Sequence, residues 1–243
     1  MKTLVIIPSR LSATRLPNKP LLEINGLSII SHVFKRAEKA DIGDVIVATE
    51  DQEIVDDVKK NGGNVILTSK KHKTGTDRIY EALSILNKKN IDLIMNIQGD
   101  EPDIDIFDIK NLNEKMIINR TKLGTLAAEI KRTDVFKNEN IVKVITEKNL
   151  DKKTFPLAKI FTRKFVEKNN AYQHLGVYCY EKETLERFVK LEQSQNEIDN
   201  RLEQMRALDN NIEINVALAN SSTIGIDTKE DYMELKKIME YKK

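Results

Sequence analysis

The sequence predicts a doubly wound α/β fold with a mostly parallel sheet and a smaller β-rich region in its second half. Three observations carry that expectation. Short apolar runs, such as "TLVII" (3–7) and "DVIVATE" (44–50), alternate with segments of helical period. These runs lack polar alternation, as strands buried on both faces do. Past about residue 120 the alternation gives way to strand-like segments separated by charged turns.

Taken in order, the first strand is 3–7. Ile29, Ile30, Val33, Phe34 and Ala37 then recur at helical spacing before the strand at 44–50. A helix over 52–60 ends at "NGG", and "NVILT" (64–68) supplies a third strand. Residues 77–89 read as helix, and "DLIMNIQGDEPD" (92–103) as a fourth strand running into a polar end. Parallel strands need crossovers of this kind. Strand-like segments follow at 124–130, 141–146, 158–162 and 174–180, then helical spacing at 182–191 and 196–211. A last strand, 212–218, precedes Thr228-x-x-Asp231, a capping box opening a C-terminal helix. The organisation expected is one domain over 1–243, with a β-rich subregion at approximately 124–195 used for substrate contact or dimerisation.

Composition narrows the partners. Forty basic against 38 acidic residues leave a net charge of +2, so any anion site must be local, and neither nucleic acid nor membrane is an expected partner. Cys179 is the only cysteine, which excludes an intrachain disulfide and reads as a buried apolar thiol. No stretch approaches ~18 consecutive apolar residues and the chain opens directly on "TLVII", so no signal peptide or membrane insertion is expected and the location expected is cytoplasmic.

The chemistry concentrates where the predicted strands end, since open α/β sheets bind ligands outside the carboxyl ends of their strands. The first such loop lies in "IIPSRLSATRLPNKPLLEINGLSII" (6–30). Pro8, Pro17 and Pro20 stiffen it, so Arg10, Arg15 and Lys19 are presented at defined places, with Ser9, Ser12 and Thr14 beside them. It is neither a Walker A loop nor a dinucleotide fingerprint, because the required glycines are missing. By itself a basic loop is equally well read as solvated surface. After the fourth strand, "QGDEP" places Asp100 and Glu101 where a carboxylate can hold Mg2+, although Gly-Asp and Glu-Pro are also ordinary turn formers. "GIDTKED" places Asp227 before a helix, which capping alone would explain. "TGTDR" offers Thr74, Gly75 and Thr76 to a base or phosphate, or as a helix cap. His174 sits in an apolar strand, and Tyr172, Tyr178 and Tyr180 share its strand at even spacing. Together, cations on one loop and isolated acids on two others fit a metal–triphosphate site.

The order "IIPSRLSATRLPNKPL", "TGTDR", "NIQGDEP", "HLGVYCY", "RLEQMRAL", "GIDT" resembles the 3-deoxy-manno-octulosonate cytidylyltransferase (CMP-Kdo synthetase) family, from Ile6 to Asp231. The resemblance implies a Rossmann-like nucleotidyltransferase fold with a β-rich dimerisation region. It implies a homodimer that joins CTP and Kdo into CMP-Kdo and diphosphate with Mg2+, for lipopolysaccharide biosynthesis. Carried over residue by residue, Arg10, Ser12, Arg15 and Lys19 hold the triphosphate, Thr76 and Arg78 lie near the nucleotide, and Asp100 and Asp227 bind metal. Lys19, Asp100, Asp227 and Arg10 are then the catalytic set. Gln98, His174, Tyr178, Glu203 and Gln204 shape the sugar pocket. The segment "IFTRKFVEKNN" keeps Arg163 but lacks the Ile-Pro that usually follows in this family, leaving Arg163 and Lys164 as candidates for the sugar carboxylate. Two alternatives stay open: another acidic 2-keto-3-deoxy sugar, such as 8-amino-Kdo, as acceptor, or a non-catalytic nucleotide-binding protein of this fold.

Overall fold

The computed structural model describes residues 1–12, 15–167, 169–220, 222 and 225–241; Thr14 of the cationic loop lies outside them. The chain divides into two compact units, Met1–Ile106 with Thr223–Lys243, and Phe107–Ser222.

The first unit opens on β1 (Thr3–Ser9), followed by a hairpin of β2 (Glu23–Ile24) and β3 (Leu27–Ser28). Next come α1 (Ile29–Lys39), β4 (Gly43–Thr49), α2 (Gln52–Lys60), β5 (Val65–Leu67), α3 (Gly75–Leu86) and β6 (Leu93–Asn96). Strand order is β6-β1-β4-β5, all parallel, so β1 lies between two parallel neighbours. That position explains its unbroken apolar run: Leu4, Val5, Ile6 and Ile7 have no exposed surface, as a strand covered on both faces requires. Gly43 is needed where β1 meets β4, because a Cβ there would come within 2.0 Å of the Thr3 carbonyl oxygen. α1 buries Ile29, Ile30, Val33, Phe34 and Ala37, the residues whose spacing predicted it, and Ser28 caps its start. α3 begins at Gly75, two residues earlier than the periodicity suggested, because Thr74 caps it by accepting from the Asp77 N–H.

The second unit contains α4 (Ile106–Asn119) from Phe107 onward, β7 (Leu123–Ala128), β8 (Lys143–Thr146), β9 (Ala158–Thr162) and β10 (Ala171–Glu181). It continues through α5 (Lys182–Phe188), α6 (Gln195–Asn200), α7 (Met205–Asp209) and β11 (Asn215–Leu218). β7 is flanked by parallel β11 and antiparallel β10, while β8 bridges β10 and β9. The single helix expected over 196–211 is two. Arg201 turns left-handed, with φ 53°, and Leu202 N–H closes on Glu197 O. The reason lies nine residues apart: Arg206 grips Glu197 with bonds of 2.7 and 2.6 Å, both side chains 5% exposed. In a continuous helix those residues would be ~13 Å apart along the axis and on opposite faces.

The chain then returns to the first unit through α8 (Lys229–Tyr241), opened by the predicted capping box: Thr228 Oγ1 accepts from Asp231 N–H at 3.1 Å, and Asp231 Oδ2 accepts from Thr228 N–H at 2.8 Å. Ile24, Ile29, Ile226, Leu235 and Met239 form a buried cluster with Leu16, Leu22 and Tyr232 against it, which seats the proline-rich loop on α8. No helix among the described residues is long and apolar enough to cross a membrane.

Candidate active site

In the first unit, the chain leaves β1 toward β4 on one side and later returns to add β6 on the other. The carboxyl ends of β1 and β6 therefore flank a topological switch point, where open α/β sheets leave a crevice. A cleft of about 350 Å³ lies there. Its walls come from the loop after β1 (Pro8, Ser9, Arg10, Ser12, Arg15, Lys19, Pro20), the start of α3 (Thr74, Gly75, Arg78), the end of β6 (Gln98, Gly99, Asp100) and Asp227.

Lys19 organises its centre. The 3-10 turn Lys19–Leu21 carries the side chain inward, and only 12% of it is exposed. Its Nζ donates to Asp100 Oδ2 at 2.7 Å and to the Ile226 carbonyl at 2.5 Å, and lies 3.5 Å from Asp227 Oδ1. The backbone ties the same point together, since Ile226 N–H donates to Asp100 O. Two aspartates 127 positions apart in sequence thus share one ammonium. Arg15 meets Asp227 from the solvent side at 3.0 Å; both side chains are at least half exposed, so this contact steers more than it stabilises. Arg10, Arg15 and Lys19 face two carboxylates in the cleft, a balance suited to a polyanion. Ser9 Oγ, buried in the same wall, has no hydrogen-bond partner among the described residues.

Arg78 is 3% exposed and its guanidinium is engaged from within. Nη1 donates to Thr68 Oγ1 at 2.6 Å, and Nη2 pairs with Glu50. It lines the cleft while bracing the ends of β4 and β5. Thr76 is buried in the first turn of α3 and does not line the cleft, which that segment meets through Thr74, Gly75 and Arg78. Sequence reasoning passed over Asp51, whose carboxylate accepts from Leu11 N–H at 2.7 Å and anchors the cationic loop. Its signal was present: an acid just past the carboxyl end of a parallel strand.

Gln98 lines the first unit's cleft, and the remaining sugar-pocket candidates belong to the second unit. On β10 the His174 ring meets Phe161 edge-on, with centroids 5.0 Å apart, and Tyr178 at 5.4 Å. Burial pulls the His174 pKa down to about 3, so the ring is neutral. Burial also pushes the Tyr178 phenol well above its ordinary value, helped by Tyr180 and by the Glu203 carboxylate. Glu203 lies 3.7 Å from Arg206, and Gln204 is buried beside it in sequence. Arg163 is placed differently: its Nη1 donates to the Asn140 and Glu139 carbonyls at 3.1 and 3.4 Å. Its own carbonyl accepts from Lys143, a fully buried lysine whose pKa is lowered by desolvation. Lys164 is exposed. Cys179 is buried and its thiol pKa raised by desolvation, so it offers no nucleophile.

A second cavity of about 600 Å³, lined in part by Arg120, Lys122, Arg187 and Glu213, contains none of the predicted site residues; its larger volume carries less chemistry than the cleft around Lys19.

Known proteins match along the whole chain. A family model described as cytidylyltransferase matches residues 4–214. A 3-deoxy-manno-octulosonate cytidylyltransferase of Rhodopseudomonas palustris (strain BisB18) is 40% identical over 241 residues, covering 98% of both chains. One from Thermodesulfovibrio yellowstonii is 41% identical over 243 residues, covering 95% of both. Among solved structures, a CMP:2-keto-3-deoxy-manno-octonic acid synthetase complexed with CTP superposes with a TM-score of 0.91 at 30% identity, over all of both chains. The doubly wound nucleotidyltransferase architecture expected from the sequence is the one found. On sequence, fold and motif order alike, the chain belongs to the 3-deoxy-manno-octulosonate cytidylyltransferase family.

Proposed function

We propose that this protein transfers the cytidylyl group of CTP to the 2-hydroxyl of Kdo, releasing diphosphate and forming CMP-Kdo. The observation that carries the reading is the Lys19 ammonium held between Asp100 and Asp227 in a cationic cleft at the switch point of the sheet. The two relatives at 40% and 41% identity, both 3-deoxy-manno-octulosonate cytidylyltransferases by name, support the choice of reaction.

Both substrates are anions, so their repulsion must be overcome before anything is accelerated. Arg10 and Arg15 hold the triphosphate, with Ser9 and Ser12 as further donors, and Lys19 stabilises charge gathering on the departing diphosphate. By family likeness Gln98, His174, Tyr178, Glu203 and Gln204 bind the sugar, whose 2-hydroxyl oxygen must approach the α-phosphorus opposite the leaving group. A bond forms from that oxygen to the α-phosphorus as the hydroxyl proton passes to solvent water, the bond from the α-phosphorus to the α–β bridging oxygen breaks, and diphosphate departs with that electron pair.

The donor set fits magnesium. Two carboxylates, Asp100 and Asp227, converge on the Lys19 ammonium at the floor of the cationic cleft. That suits an ion which prefers one or two carboxylates and completes its shell with phosphate and water. Asp100 and Asp227 would hold it, and when bound it would supply Lewis acidity that lowers the sugar hydroxyl's pKa and neutralises phosphate charge. A homodimer and a cytoplasmic location belong to the same proposal, on family likeness; light scattering after size exclusion tests the dimer.

The test is diphosphate release from CTP and Mg2+ with a panel of 2-keto-3-deoxy sugar acids. Release with Kdo supports the proposal. Release only with another acid, such as 8-amino-Kdo, moves the acceptor. CTP binding without release for any acid refutes the catalytic reading.

A further inference from the structure

β7 and β10 pair antiparallel, but their register slips between Leu175 and Tyr178. At the slip, β7 presents Thr125, which has no exposed surface. Its Oγ1 lies 2.7 Å from the Val177 carbonyl oxygen, 3.3 Å from that of Leu175, and 3.0 Å from His174 Nε2. A hydroxyl has one hydrogen to donate and two lone pairs to accept with. The two carbonyls can only accept. The hydroxyl hydrogen therefore goes to Val177 O, shared in part with Leu175 O. The contact with the imidazole is then a hydrogen bond only if the ring N–H donates to Oγ1. The opposite arrangement, with the hydroxyl donating to the ring, would set both carbonyl lone pairs against the hydroxyl oxygen in a site closed to water, a costly arrangement.

We infer that Thr125 is a positioning residue that fixes His174 as the Nε2-protonated neutral tautomer, leaving the Nδ1 lone pair to accept a hydrogen bond from an O–H or N–H of the sugar. Among the described residues Nδ1 has no hydrogen-bond partner, while Phe161 and Tyr178 hold the ring plane. The ring stays neutral because burial penalises its cation. This assigns His174 a hydroxyl or amino group of the acceptor and withholds from it the acceptor's carboxylate, which needs a cation or a donor. The inference deepens the proposed function and rests on its placing of His174 at the sugar.

Two measurements separate the inference from that reading. In protein labelled with 15N-histidine, long-range proton–nitrogen correlation reports which ring nitrogen carries hydrogen, and His174→Gln assigns the signal among the three histidines. The expected wild-type pattern is Nε2 protonated and Nδ1 bare at neutral pH; an Nδ1-protonated ring or an imidazolium overturns the inference without any substrate present. Thr125→Val keeps the side-chain shape and removes the acceptor. It is expected to admit the other tautomer and to raise KM for the sugar about tenfold, with KM for CTP unchanged, the loss expected from one missing hydrogen bond. Thr125→Ser restores both readouts. If Thr125→Val shifts the tautomer but leaves KM for the sugar unchanged, the assignment of His174 to the sugar fails; if the tautomer does not shift, the role given to Thr125 fails.

Discussion

Replacing Lys19 with methionine removes the ammonium and keeps most of the apolar stem, so the variant isolates the charge. In the folded protein that charge makes two hydrogen bonds, to Asp100 at 2.7 Å and to Ile226 O at 2.5 Å, and a looser contact with Asp227 at 3.5 Å. A charged hydrogen bond contributes ~1.5–3 kcal/mol when sheltered. Asp100 is 32% exposed and Asp227 50%, so water screens part of the interaction and receives the orphaned carboxylates. The net cost to stability is therefore ~1–2 kcal/mol. For a chain of this size that lowers Tm by roughly 2–8 °C. The kinetic cost is of a different order. Loss of one preorganised electrostatic element typically removes ~100- to 1,000-fold from kcat. Thermal unfolding followed by dichroism measures the first quantity, and coupled detection of diphosphate release from CTP and Kdo measures the second. The signature is a large kinetic loss beside a small loss of stability. Turnover within about threefold of wild type would refute the assignment of Lys19 to the reacting phosphates.

Three further outcomes follow from the same geometry. Asp100→Asn and Asp227→Asn each leave a folded protein with diphosphate release reduced at least ~100-fold and with weaker Mg2+ dependence; near-normal turnover in both removes the metal site. Arg206→Met leaves the Glu197 carboxylate buried without its partner and costs ~3–5 kcal/mol in denaturant unfolding, whereas a loss below ~1 kcal/mol would show that the pair is not closed in solution. His174 has a pKa of about 3 against an ordinary value of 6.5, so between those limits the unfolded chain binds a proton that the folded one does not. Stability is thus fully present above pH 6.5 and falls as the pH drops toward 3, by at most ~1.4 kcal/mol per unit from this group. His32, whose pKa burial also lowers, adds to the same trend. Guanidinium melts at about pH 7 and about pH 5 should show the slope, and His174→Gln should flatten it by up to ~2 kcal/mol; an unchanged slope contradicts the desolvated neutral ring.

Much of this was legible in the residues. β1, β4, α1 and α2 announce themselves because each lies against the core in the plain way, fully covered or covered along one stripe. β9 falls on the predicted 158–162. α4 carries no legible helical pattern. It exposes Phe107 and Ile118 while burying Asp108, Asn113 and Lys115, so its hydrophobic period is blurred. The buried polar groups earn their place through distant partners: Asp108 accepts from Asn220 N–H, and Lys115 donates to the carbonyls of Lys152 and Thr154. Such partners lie 37 or more positions away, beyond any local pattern. The hairpin of β2 and β3 carried a local signal, Asn25-Gly26 with both φ angles positive, hidden inside a loop read for its charges. The break at Arg201 likewise follows from the pairing of Glu197 with Arg206, which no helical period contains.

The candidate site divides in the same way. The identities of Lys19, Asp100 and Asp227 are visible as isolated charges at strand ends and a helix start, and only the folded chain shows one ammonium touching both acids. The internal engagement of Arg78 with Glu50 and Thr68, and of Arg163 with two carbonyls, could not be read from spacing. Each cation could equally have faced solvent. Thr125 is silent in the sequence, an ordinary strand threonine until the slip in β10 brings three acceptor or ring atoms to its hydroxyl.

The most direct measurement is a crystal structure of this protein with CTP and Mg2+ bound. The triphosphate is expected in the cleft beyond β1, with Arg10, Arg15 and Lys19 on its oxygens and both Asp100 and Asp227 reaching the metal shell. A triphosphate seated instead in the cavity by Arg120 and Arg187, or a cleft nucleotide whose metal touches neither aspartate, would contradict it.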